Sequence, residues 1–341
     1  MEFINFINKD TYNTILDGIN RETHNSIPQC YYVSGDMGYG KTTLLHRLGN
    51  AMKSDLFQPI YIDCILNPIS KEEKLEDILQ GIISDKRVVF LLDNAHYLLE
   101  NWPNNELAKL RALIYNPGAP IIVFAGKRVT KVFTDYSAPL YNSVMLLSLS
   151  ALTENEQGKL LQSVCKGGLP KIEQMMRMAN SLEPSILIMR LIIRAIENGW
   201  QKEEDIKKNT LSYFNVAFEN QLGSLTSNQL LVVTALMKAS PSCLLSDIVK
   251  ETGLKSSDIT PQIKRLEEKN LIEIVKWKPK KSFYRIKSRI FKEWYKLQNS
   301  ISYDMEEAQE KVEGAYQALS TFIYLLYFSA SSTKSKASLP S

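Results

Sequence analysis

Five short apolar runs rich in β-branched and aromatic residues recur through the first half of the chain: Cys30 to Ser34, Pro59 to Cys64, Arg87 to Leu92, Ile121 to Ala125 and Val144 to Leu149. Runs that are apolar on nearly every residue fit strands covered on both faces. Polar segments with helical spacing separate them, and this alternation predicts an α/β domain with a five-stranded parallel sheet between helical layers. Ser70-Lys71-Glu72-Glu73 opens one such helix like a capping box, with Leu75, Ile78, Leu79, Ile82 and Ile83 on one face. Another is expected from Asn105 to Tyr115, stopped by Asn116-Pro117-Gly118.

After Leu149 the pattern becomes wholly helical. Thr153-Glu154-Asn155-Glu156 starts one helix, Leu169 to Ala179 makes a second and Pro184 to Ile196 a third. Farther on, Leu225-Thr226-Ser227-Asn228 caps a helix carrying Leu230, Val232, Val233, Leu236 and Met237, and helices Leu244 to Thr252 and Ser256 to Lys269 follow. Two β runs, Ile272 to Trp277 and Ser282 to Ile286, flank the basic turn Lys278-Pro279-Lys280-Lys281. Three helices and a basic hairpin predict a winged helix. The expected divisions are a sheet domain over 1–149, a helical lid over 150–223, the winged helix over 224–298, a C-terminal helical segment over 299–330 and a disordered tail over 331–341. Phe322 to Phe328 gives that C-terminal segment an apolar surface suited to a protein partner or to self-association.

Composition adds little until it is localised. The 341 residues are 44% hydrophobic and 23% charged with a formal charge of +4, which suits an ordinary folded protein of two or three domains. The charge is uneven: Leu271 to Gln298 holds nine Lys or Arg residues against Glu273 and Glu293 alone, a local excess suited to a phosphate-bearing surface. Cys30, Cys64, Cys165 and Cys243 show no metal-ligand spacing and read as buried thiols in a reducing compartment. The N-terminus lacks a signal-peptide layout, and the apolar run from Ala318 to Ala330 is shorter than the ~20 residues that span a bilayer, so a cytoplasmic protein without membrane contact is expected.

The sharpest chemical signal is Gly35-Asp36-Met37-Gly38-Tyr39-Gly40-Lys41-Thr42, which fits GxxxxGK[ST] between a strand and an apolar helix. Glycines there let successive N–H groups curl around a phosphate while the helix directs its positive end at the anion. Lys41 would reach the β and γ phosphates and Thr42 would ligate Mg²⁺, with Thr43 beside them, so a nucleoside triphosphate with Mg²⁺ is the expected ligand. The loop does not decide between ATP and GTP, but no GTPase-type NKxD motif is present and ATP is the nucleotide expected. The strand Arg87 to Leu92 ends in Asp93, placed to hold the same Mg²⁺.

The βα unit between the P-loop strand and the Asp93 strand resembles the branch of P-loop ATPases that contains AAA+ and STAND proteins. In that branch a glutamate usually follows the acid, and Leu-Leu-Asp-Asn-Ala-His-Tyr-Leu is similar to their DEAH-like segment with Asn94 in the Glu place. Asn94 can orient a water but cannot accept its proton, so slow hydrolysis is expected unless another carboxylate, for instance Glu100, substitutes. Alternatively, Asn94 caps the next helix. The resemblance also implies that Arg128, or else Lys127, senses the γ-phosphate after the fourth strand, and that Pro184 lies near the adenine. Leu147 to Glu154 is similar to the junction leading STAND ATPases into their lid, while no AAA+ sensor 2 arginine stands in its motif, Arg190 lying outside it.

Leu225 to Leu297 resembles the winged helix that follows the ATPase in archaeal-type ATPases and Orc/Cdc6-like initiators. Two functions are therefore open. One is a STAND-like switch that hydrolyses ATP slowly and relays its nucleotide state to a partner; the other is a DNA-binding adaptor of Orc/Cdc6 or transposition-regulator type. In the second, Ser256, Ser257 and Gln262 face bases of double-stranded DNA, Lys255, Lys264 and Arg265 its phosphates, and Lys278, Lys280 and Lys281 a flanking groove. A multimeric machine with rapid turnover is a third.

Overall fold

The computed structural model describes residues 7–23, 25–52, 55–66, 85–164, 169–239, 241–278 and 281–299. The expected helix over Ser70 to Ser84, Lys280, Cys165, the C-terminal helical segment and the tail lie outside these residues.

The chain divides into two compact units, Met1–Ile206 and Lys207–Ser341. In the first, strands β1 (Tyr31–Ser34), β2 (Phe57–Asp63), β3 (Arg87–Asp93), β4 (Ile121–Gly126) and β5 (Met145–Ser148) form one sheet in the order β2-β3-β4-β1-β5. Every neighbouring pair is parallel. The predicted runs thus become strands, with ends shifted by a residue or two.

The sheet shows why those runs are continuously apolar. Tyr31 and Val33, Val89 and Leu91, and Ile121, Val123 and Ala125 feed the core under helices α1 (Lys9–Arg21) and α2 (Lys41–Ala51). Tyr32, Phe90, Leu92, Ile122 and Phe124 feed a second core on the opposite face. That second core also takes in α3 (His96–Asn101), α4 (Asn104–Ile114) and α5 (Lys131–Thr134) through Leu98, Leu107, Leu110 and Phe133. Successive residues on a strand point to opposite faces, so each strand must be apolar twice over.

Four more helices complete this part: α6 (Glu154–Val164), α7 (Leu169–Leu182), α8 (Ile186–Glu197) and α9 (Glu203–Ser212), the last crossing the division between units. Ser185 caps α8, its hydroxyl accepting from the Ile188 N–H at 3.2 Å.

The second unit contains α10 (Asn215–Gly223), α11 (Ser227–Lys238), α12 (Leu245–Thr252), α13 (Ser256–Glu268), the antiparallel strands β6 (Ile272–Lys278) and β7 (Lys281–Ile286), and a helix over 289–299. Thr226 and Gln229 form the capping box at the start of α11. Cys243 joins the hairpin edge, exchanging backbone hydrogen bonds with Tyr284 at 3.0 and 2.8 Å. Phe214, Phe218, Phe291 and Trp294 pack with ring centroids 5.0 to 6.0 Å apart, and the Trp294 indole donates to Asn215 Oδ1 at 2.8 Å. Cys30, Cys64 and Cys243 are buried free thiols, and burial pushes Cys30 up to about 12. Among the described residues no helix is long and apolar enough to cross a membrane.

Candidate functional site

The turn between β1 and α2 supplies the site. Gly38 and Gly40 both hold left-handed backbone, φ +86° and +93°, which L side chains rarely adopt. Space demands glycine as well: a Cβ on Gly38 would lie 2.8 Å from Leu187 Cβ, and one on Gly40 2.6 Å from Ile186 Cδ1. The P-loop is therefore pressed against the first turn of α8. The Leu187 N–H donates to the Gly38 carbonyl at 3.3 Å, and the Tyr39 hydroxyl donates to Glu183 Oε1 at 2.6 Å. From the other side, Asn8 donates through Nδ2 to the Tyr39 carbonyl at 3.0 Å.

Lys41 closes the loop on itself, its ammonium donating to the carbonyls of Gly35 at 2.7 Å and Asp36 at 2.9 Å. Burial pulls Lys41 below the usual lysine range, and the carboxylates of Asp93 and Asp36 oppose the shift. An arriving phosphate would favour the charged form further.

Asp93, 2% exposed, ends β3 against the loop. Its Oδ2 accepts from the Thr42 hydroxyl at 2.5 Å and from the Tyr61 hydroxyl at 3.1 Å, and its Oδ1 from the Asn94 N–H at 2.9 Å. Tyr61 reaches over from β2, its ring stacked on His46 at 4.3 Å. Burial, with Asp93 next in weight, pushes the Tyr61 phenol well up, so it donates and does not ionise. The Thr42 hydroxyl and the Asp93 carboxylate are hard oxygens held together, which fits Mg²⁺ taking one or two protein ligands beside phosphates and water. Among the described residues no group of three His, Cys, Asp or Glu side chains forms a metal cluster.

A cavity of about 280 Å³ lies over the loop, lined by Met37, Gly38, Lys41, Thr42, Asp93 and Asn94 together with Ile186, Leu187 and Arg190 of α8. It brings together most of the predicted site. Arg190 joins it without a hydrogen bond or ion pair of its own among the described residues. No motif surrounds Arg190 in the sequence; the signal for it is its place four residues after Ile186, on the face of α8 that meets the loop. Pro184 does not line the cavity, and its carbonyl accepts from the Leu152 N–H at 2.7 Å.

Two other predicted groups are paired with each other. Arg128 forks onto Glu100, with Nε and Nη2 to Oε1 at 3.2 Å, both side chains being about two-fifths exposed. Such an exposed pair is worth about 0–1 kcal/mol, so Arg128 can leave it for a phosphate at little cost. His96 stands nearby with a buried Nδ1 that has no hydrogen-bond partner among the described residues. Its burial, reinforced by Lys41, Lys127 and Arg128 and opposed by Glu100, lowers its pKa and keeps it neutral.

Asn94 has left-handed backbone, φ +54°, and does not cap the next helix: the N-cap of α3 is Ala95, without a side-chain bond. Its Nδ2 instead donates to Asp63 Oδ1, at the end of β2, at 3.1 Å. In the second unit, Lys264 and Arg265 are exposed on α13, whereas Gln262 has its Oε1 buried without a hydrogen-bond partner among the described residues.

No protein-family model matches the chain, and no curated protein matches it either. Among solved structures it is similar to the Walker-type ATPase of Pyrococcus abyssi, at 15% identity and TM-score 0.60 over 85% of this chain and 95% of that one. It also matches the Orc1 protein of Aeropyrum pernix, solved in complex with DNA, at 14% identity and TM-score 0.48 over 88% of this chain and 92% of that one. At such identities the similarity is one of fold alone, the P-loop ATPase fold that the first of these shares with this chain.

Proposed function

We propose that the chain binds ATP with Mg²⁺ and acts as a nucleotide-dependent switch, hydrolysing ATP slowly and passing its state to a partner. The observation that carries this reading is the Thr42–Asp93 pair beside a P-loop sealed by Lys41, with Asn94 where a hydrolysing glutamate would stand. Phosphoryl transfer depends on positioning and charge neutralisation, and the loop amides, Lys41, a Thr42/Asp93-bound Mg²⁺ and Arg190 supply both. A carboxamide in the adjacent position removes the usual proton acceptor, which favours a long-lived ATP state. Contacts of Gly38, Tyr39 and Gly40 with α8 and Glu183 give the lid a direct sense of what the loop holds. Within the second unit, α11, α12, α13 and the β6–β7 hairpin have the make-up of a winged helix, the element proposed to meet the partner.

One observation favours a DNA-binding adaptor as the second reading: Lys255, Ser256, Ser257, Lys264 and Arg265 are all exposed on or beside α13. The test of the first reading is single-turnover hydrolysis of bound Mg·ATP. The expected rate is on the order of 10⁻² s⁻¹ or slower, as in intrinsic P-loop switches. Turnover at about 1 s⁻¹ or faster without a partner, the ordinary enzyme range, would contradict the switch.

A further inference from the structure

The carboxamide of Asn94 has a partner that changes the chemistry of the site. Its Nδ2 donates to Asp63 Oδ1 at 3.1 Å. Asp63 ends β2 and is the register partner of Asp93 in the parallel β2–β3 ladder, so both side chains leave the same face of the sheet. Tyr61, two residues earlier on that face, already reaches Asp93 at 3.1 Å. Asp63 Oδ1 also accepts from the Ile65 N–H at 2.9 Å, whereas its Oδ2 makes no hydrogen bond among the described residues. A carboxylate is thus fixed by one oxygen, with no described partner on the other, one strand over from the acid that faces Thr42.

Resting on the ATP reading above, we propose that Asp63 is the general base for nucleoside triphosphate hydrolysis, with Asn94 as its positioning residue. As the attacking water forms its bond to the γ-phosphorus, Asp63 takes the water's proton. The bond from γ-phosphorus to the β,γ-bridging oxygen breaks, its electron pair stays on the departing diphosphate, and Asp63 then returns the proton to the released phosphate. The carboxylate absent after Asp93 is replaced by one on the neighbouring strand, behind Asn94 and outside the residues that line the cavity over the loop, so a base set back in this way is consistent with the slow turnover proposed above. One consequence concerns Asn94→Glu alone: it would set two carboxylates in contact, which disfavours ionisation of both. The informative exchange is therefore double.

The experiment measures three quantities on the full chain: affinity for a fluorescent ATP analogue with Mg²⁺, affinity for ADP with aluminium fluoride, and single-turnover hydrolysis of ATP. Asp63→Asn keeps the size and the acceptor for Asn94. It should hydrolyse about 100-fold or more slowly than wild type, the usual worth of a positioned base. It should bind the ATP analogue within about twofold of wild type and lose about tenfold in affinity for the aluminium fluoride complex, which mimics the transition state. Asp63→Glu, which keeps a carboxylate, and Asp63→Asn/Asn94→Glu, which moves it back, should both recover hydrolysis. Wild-type hydrolysis by Asp63→Asn, or loss of ATP-analogue affinity equal to its loss of rate, overturns the proposal. So does a wild-type protein that binds the analogue but never hydrolyses ATP. Failure of wild type to bind the analogue at all refutes the ATP reading itself, and the binding arm shows this before hydrolysis is measured.

Discussion

Gly38 and Gly40 tie two demands to single atoms: left-handed backbone that presents N–H groups to an anion, and contact with α8 that a Cβ would block. Arg190 lies across the same contact, exposed and unpaired among the described residues, so it has little to give up in meeting a phosphate. Arg190→Ala should weaken Mg·ATP binding by about tenfold or more, the worth of one hydrogen bond to a charged group, while Arg190→Lys retains part of it. Unchanged affinity by fluorescence titration would remove Arg190 from the site. The P-loop and Asp93 were legible in sequence because their spacing alone encodes the chemistry. Asp63, Tyr61 and Arg190 were not, since each acts across a strand or helix contact that only the sheet order creates.

Strands and helices follow their patterns wherever burial decides the pattern. β3 and β4 are apolar on both faces and were legible almost to the residue, whereas α1 was not anticipated. Its Tyr12, Ile15, Leu16 and Ile19 do hold helical spacing and pack on the sheet, but no side-chain cap announces its start: Asn8, left-handed at φ 52°, turns its amide to the P-loop instead. In α13, Ile259, Ile263 and Leu266 are buried and Lys264 and Arg265 face solvent, the division expected of an amphipathic helix. A switch that meets a protein partner has no need of tight DNA binding. Fluorescence anisotropy against duplex DNA should therefore find a Kd no tighter than about 1 μM at physiological salt, the range of non-specific contact. Submicromolar binding that weakens steeply with salt and is lost in Lys264→Glu/Arg265→Glu would shift the conclusion to the DNA-binding adaptor.

In the first unit, the parallel sheet in the order β2-β3-β4-β1-β5 sets β2 beside β3 and puts β4 between β3 and β1, and the loop after β1 reaches Asp93 at the end of β3, next to Asp63 at the end of β2. The alternation of apolar runs announced this architecture. Its use could not be read the same way, because a P-loop ATPase fold serves motors, adaptors and switches alike. The proposed switch is argued from local features: a carboxamide after Asp93, a hydrogen bond from Tyr39 of the loop to Glu183 before α8, and an arginine paired with an exposed glutamate. All of it depends on a triphosphate occupying the loop between Gly35 and Thr42. Isothermal titration of wild type and Lys41→Ala with Mg·ATP tests that claim most directly. Saturable one-site binding by wild type that falls by about 100-fold or more in Lys41→Ala, with the fold intact by circular dichroism, is the predicted result. Equal affinity in the two proteins would contradict it.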